Sequence, residues 1–238
     1  MSQTGFFTKG VSWCLPHPAV SARSLLKIHE VVAHAFALLR KCPPLGFQLS
    51  TASEEEITRQ LHWVIENRLF KKSESPRFDR RIFRNVVHNA EITNYDWKHP
   101  AKKPDLAFFL RRETLSVMST HDAIFAECKP VDSNHGVEAH YCKLGIARFV
   151  IGDYAWTMRE GLMIGYARKR TIEQDLFPAL SRCAGALGNP RQPRPVRNSV
   201  PQGVETLHYS DHSRSFRWPN EFGPACEIRL FHSWHSCE

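Results

Sequence analysis

No stretch of the 238 residues approaches the roughly 18 consecutive apolar residues of a membrane span. The opening MSQTGFFTKG has no apolar core of a secretory leader. The expectation is a soluble, cytoplasmic chain with no membrane partner. Cysteine never occurs as C-x-x-C. The seven cysteines, at positions 14, 42, 128, 142, 183, 226 and 237, are odd in number and scattered, the pattern of neither a disulfide framework nor a zinc ribbon. A G-x-x-x-x-G-K-[ST] phosphate loop is missing, so nucleotide hydrolysis has no support, and there is no internal repeat. Acidic residues are also in short supply: 24 against 32 lysines and arginines, a net charge of +8. The bases bunch in KKSESPRFDRR, KHPAKK, ARKR and RQPRPVR. Such clusters suit a phosphate backbone, although a merely basic surface would carry the same charge.

What is present reads as α/β. Apolar residues at Leu25, Ile28, Val32, Ala35 and Leu39 keep helical spacing until CPPLG stops them. A second stripe, Ile57, Leu61, Val64, Ile65 and Leu69, follows Ser53, an N-cap whose capping-box partner is Glu56. IFRNVVHNAEI, PDLAFFL and HDAIFAECKPV read as strands, GVEAHYCKLGIARFVIG as a helix and GLMIGYA as a buried strand. RTIEQDLFPALSRCAGALG is a helical pattern interrupted by Pro178, and ACEIRLFHSWHSCE returns to strand-like alternation. The expected architecture is a central mixed sheet flanked by helices in one domain, 1–238, with its core at about 53–168. A helical addition at 1–46, a mobile proline-rich excursion at 189–203 and a strand segment at 204–238 complete it.

Glu127 and Lys129 share one face of their strand, and Asp105 opens the strand before it. Neighbouring strands lie about 4.8 Å apart, so the three can meet at one edge of the sheet. Paired carboxylates suit Mg²⁺, and an ammonium beside them can orient a water or neutralise an oxyanion. On the preceding helix, at about 100° per residue from Ile57, Glu54 falls at about 60°, inside the apolar stripe. Glu55 falls at about 160°, towards solvent, and Glu56 at about 260°, where it serves the cap.

A helix bearing glutamate, then KPDLAFFL and AIFAECKPV, resembles the PD-(D/E)XK nuclease superfamily of restriction-endonuclease-like fold, over about residues 53–168. The resemblance implies an α-β-β-β-α-β core and a Mg²⁺-dependent endonuclease, Mn²⁺ substituting, acting on nucleic acid, duplex DNA foremost. It implies that Asp105 and Glu127, with Glu54, hold the metal and that Lys129 assists the attacking water. HYCKLGIARFVIGDYAWTMREGLMIGYARK and HYSDHSRSF...EIRLFHSW also look like segments of bacterial restriction-type nucleases, a setting of defence or mobile-element transactions. The helix after E-x-K lacks the Q-x-x-x-Y of many members.

Lys102, Lys103, His140, Tyr141, His212 and Arg214 are candidates to touch nucleic acid, each set against a packing or loop-anchoring role. His208, His212, His232, His235 and Cys237 have spacings that a zinc ion could use, but no paired cysteines support it. Tyr154 and Trp156 read as core. Two other classes of function stay open: a nuclease-like module that grips nucleic acid without turnover, and an interaction subunit or homo-oligomer whose N-terminal helix meets a partner.

Overall fold

In the computed structural model, which describes residues 14–72, 74, 78–112, 117–196, 206–219 and 222–238, the elements follow the periodicities of the sequence closely. Ser21 caps α1 (Ala22–Lys41), its hydroxyl accepting from Ser24 N at 3.1 Å. The apolar stripe of α1 is buried, with Phe36 stacked on His235 and edge-on to Tyr166. The apolar stripe of the helix is therefore part of the core. α2 (Glu54–Val64) begins at the Ser53–Glu56 capping box and runs into wider π turns at Ile65–Lys71.

Among the described residues the sheet has seven strands in the order β1-β2-β3-β4-β7-β6-β5. β1 (Phe83–His88), β2 (Leu106–Leu110) and β3 (Ala123–Val131) pair antiparallel. The chain then crosses through α3, whose π turns Val137–Ile146 continue directly into the α-helical Ala147–Val150, to β4 (Glu160–Ala167), parallel to β3. β7 (Ile228–Ser236) lies parallel to β4, and β6 (His208–His212) returns antiparallel to β7. The sheet is mixed, and its central strands are buried on both faces: every residue of β4 is buried. One contiguous apolar cluster runs from Val20 to Cys237, and a smaller one joins Met118, Trp156, Phe216 and Trp218.

Two expectations change. Pro178 does not end its helix; the π turns at Ile172–Leu176 pass directly into α4 (Phe177–Arg182), and the proline stands beside the point where the two kinds of turn meet. The proline-rich segment is not wholly an excursion. Arg194–Pro195 forms β5 against His208 and Tyr209, and Arg191 N and Val196 N bond to the carbonyls of Asp211 and Leu207. Proline is tolerated on such an edge strand. The remainder of the segment, 197–203, lies outside the described residues. Among the described residues no helix is long and apolar enough to cross a membrane.

Candidate active site

The β2–β3 ladder closes at Leu106↔Ala126, yet β3 continues from Glu127 to Val131, paired on its other side with Met163 to Ala167 of β4. That stretch of β3 is open towards β2. Asp105 stands in the opening, and its Oδ2 accepts the Cys128 N–H at 2.6 Å, a donor that β2 leaves without a backbone partner. The period of two in β3 then sets Glu127 and Lys129 on one face beside it. Two glycines let other elements approach closely. A Cβ at Gly145 of α3 would fall 2.6 Å from Met163 Cε and 3.5 Å from Lys129 Cγ, and one at Gly165 of β4 would fall 2.5 Å from Trp234 Cδ1.

Glu54 enters from the first turn of α2 and meets the site through Lys129. Lys129 Nζ is 2.6 Å from Glu54 Oε1 and 3.1 Å from Glu127 Oε1. Glu55 is exposed and Glu56 closes the cap, with Ser53 N to Glu56 Oε2 at 2.9 Å, as the helical phase predicts. A further cation joins them: Arg148 Nη1 lies 3.5 Å from Glu127 Oε1 and 2.5 Å from the Tyr154 hydroxyl, which donates to Lys103 O at 2.9 Å.

Glu127 is 2 % exposed at its side chain, and its Oε2 has no hydrogen-bond partner among the described residues. Burial, followed by the charge of Asp105, pushes its pKa up to about 7, against the pull of Lys129 and Arg148. Asp105 is also raised by burial, with Lys129 and the Cys128 N–H opposing. Burial alone would lower Lys129, but the carboxylates of Glu127, Glu54 and Asp105 outweigh it and hold the ammonium charged. The cluster thus pairs a firmly held cation with two mutually repelling carboxylates.

No group of three or more His, Cys, Asp or Glu side chains is disposed to hold a metal ion among the described residues. Glu54 is bonded to Lys129 rather than joining Asp105 and Glu127 in a three-carboxylate cage. The Asp105–Glu127 pair with its orphaned oxygen nonetheless fits Mg²⁺, which is commonly held by one or two carboxylates, with waters and substrate phosphate completing its shell.

The other candidates divide. Lys103 is half exposed and pairs with Glu91, Lys102 is bound to Asp153 at 2.9 Å, and His140 is half-buried with its ring against His135. Tyr141 and His212 are corrected from nucleic-acid contacts to core groups because they are buried against protein partners, and Arg214, half-buried, is tied to the backbone through its Nη atoms. Tyr141 is fully buried against His232, and His212 is fully buried between Ser210 and Leu187 O. Arg214 Nη1 bonds to Ala155 O and Trp156 O at 3.1 and 3.0 Å, and its Nη2 to Met158 O.

The histidines considered for zinc form no metal site among the described residues. His212 Nδ1 faces the Leu187 carbonyl at 2.8 Å and must donate. Its Nε2 therefore accepts from Ser210 Oγ at 2.7 Å, and that hydroxyl in turn accepts from His232 Nε2 at 2.7 Å. His232 Nδ1 is left to accept from the Tyr141 hydroxyl at 3.0 Å. Each ring thus has one tautomer, with Met163 O a second, more distant acceptor for the Tyr141 hydroxyl at 3.5 Å, and both rings are neutral: burial lowers the His212 pKa to about 4 and that of His232 well below its ordinary value.

Sequence reading missed Arg148 and Tyr154 as site residues. It placed Arg148 on the right helix but read Tyr154 only as core, which it also is, at 1 % exposure. The available signal was a base near the end of the helix after E-x-K. Comparisons with protein families, curated proteins and solved structures found no match.

Proposed function

We propose that this protein is a metal-dependent endonuclease that hydrolyses phosphodiester bonds in nucleic acid, duplex DNA foremost, through a core of the PD-(D/E)XK kind. The observation that carries this reading is the junction where β2 and β3 part. There a carboxylate pair with an unpartnered buried oxygen lies beside a lysine held charged by two glutamates. The element order α2-β1-β2-β3-α3-β4 and the basic balance of the chain support it.

Asp105 and Glu127 would hold the ion; bound Mg²⁺ or Mn²⁺ supplies Lewis-acid stabilisation of the phosphate and acidifies a water. Lys129, an ammonium with donors only, holds the attacking water by its oxygen and offsets charge growing on the phosphate. Glu54 directs the ammonium, and Cys128 N–H fixes the rotamer of Asp105. The half-exposed Lys103 and His140 remain candidates to contact the strand.

A second reading, a binding module without turnover, draws on the ion pairs that already join Lys129 to Glu54 and Glu127. Plasmid nicking separates the two. Cutting with Mg²⁺ or Mn²⁺, abolished by EDTA and by Lys129→Ala, supports the enzyme. Salt-sensitive DNA binding with no cutting under any metal supports the module.

A further inference from the structure

We propose that Arg148 binds a phosphodiester oxygen of the substrate strand, its guanidinium leaving Glu127 for the phosphate when the site is loaded. The inference rests on the nuclease reading and adds a substrate contact that the E-x-K pattern does not contain.

Three observations place it. First, Arg148 is anchored at one corner only. Nη1 meets the Tyr154 hydroxyl, and the guanidinium lies 5.6 Å from the centre of the Tyr154 ring. The proton of that hydroxyl is committed to Lys103 O, so its lone pair is what faces the arginine. Nε and Nη2 form no hydrogen bond or ion pair with the described residues, and the side chain is 41 % exposed.

Second, its hold on Glu127 is loose. At 3.5 Å it lies beyond a good hydrogen bond, while Lys129 reaches the same Oε1 at 3.1 Å. A divalent cation on Glu127 would repel Arg148 and free its open edge, and two parallel N–H donors match the oxygens of a phosphate.

Third, two other arginines beside the sheet lack that freedom. Arg214 is bonded to three backbone carbonyls, and Arg168 to Asp132, Leu49 O and Ala52 O. Those two are structural fasteners, whereas Arg148 has a free fork at the edge of the carboxylate cluster.

The test compares wild type, Arg148→Gln and Arg148→Lys, with thermal melting as the check on folding. Binding of a short duplex oligonucleotide is measured in Ca²⁺ over a range of salt, and cleavage kinetics are measured in Mg²⁺. For a phosphate contact, Arg148→Gln weakens binding roughly ten-fold, raises KM, and reduces the slope of log affinity against log salt by about one. Arg148→Lys keeps the slope and recovers part of the affinity. Unchanged affinity and slope in a folded Arg148→Gln, even with slower cleavage, overturn the proposal and leave Arg148 as a neutraliser of Glu127. A wild type that binds but does not cut defeats the nuclease reading while the salt slopes still decide Arg148. A wild type that neither binds nor cuts defeats both.

Discussion

Two buried polar groups of the same sheet, one at β2 and β3 and the other beyond β4 on β7 and β6, have opposite designs. The chain Tyr141–His232–Ser210–His212–Leu187 O is neutral and satisfied at each link, each proton assigned by the one before it. The cluster of Glu54, Asp105, Glu127, Lys129 and Arg148 is charged, leaves Glu127 Oε2 without a partner and sets two carboxylates against each other. A satisfied network rigidifies the fold, whereas an unsatisfied charged one costs stability. A cost of that kind at the open edge of a strand is what the proposed site would accept for function. The contrast guides assignment where motif spacing misleads: five C-terminal His and Cys residues spaced like ligands include a structural chain, while an ordinary E-x-K marks the strained site.

Losing Lys129 should give the largest separation between the two regions. Lys129→Ala is expected to lower plasmid nicking about 10²-fold or more while the protein remains folded by circular dichroism. Cleavage at the wild-type rate by the folded variant would remove the site from the argument.

Acid should act on the histidine chain. The folded pKa of His212 is about 4, against 6.5 for a free histidine. The unfolded chain therefore binds more protons between those values, and stability falls as pH drops through that window. His121, also lowered to about 4 by burial, adds to the trend. Each such group contributes up to about 3 kcal/mol. Urea midpoints of the Glu127→Gln variant, which lacks the opposing titration of that carboxyl, should record the decline between pH 7 and pH 4, and their constancy would show the histidines to be accessible to protons.

Ser210→Ala should leave the two facing Nε2 atoms unsatisfied and cost about 1–3 kcal/mol in chemical denaturation, with cleavage by the folded fraction unchanged. Glu127→Gln should do the reverse, losing cleavage and gaining stability. Glu127 titrates near 7 when folded and near 4.5 when unfolded, so its ionisation destabilises the wild type as pH rises through that interval. The variant's advantage, on the order of 1–3 kcal/mol, should be complete above pH 8 and absent below about 4.5.

The smallest effects test the helix phase. Glu56→Gln is expected to cost about 1 kcal/mol or less through the capping box, and Glu55→Gln nothing measurable, with cleavage intact in both. A cleavage defect in Glu55→Gln would place the wrong face of α2 against the sheet.

Much of this was legible in one dimension because local physics sets it. The period of two in β3 puts Glu127 and Lys129 on one face, the 3.6-residue period turns Glu54 inward, and a capping box is a three-residue spacing. Those rules operate within a single strand or helix, so the order of elements and the inward acids could be read from residue types alone.

Only tertiary structure decided which groups meet across elements. Glu54 bonds to Lys129 rather than completing a carboxylate cage because α2 arrives where β2 and β3 part. Arg148 and Tyr154 join the cluster because Gly145 lets α3 lie close on β3 and β4. His232 and His212 become a hydrogen-bonded chain because β6 pairs with β7 in a register that sets Ser210 between them. Contacts between residues tens of positions apart depend on strand register and helix approach, which arise from packing the whole core at once, and no local periodicity encodes them.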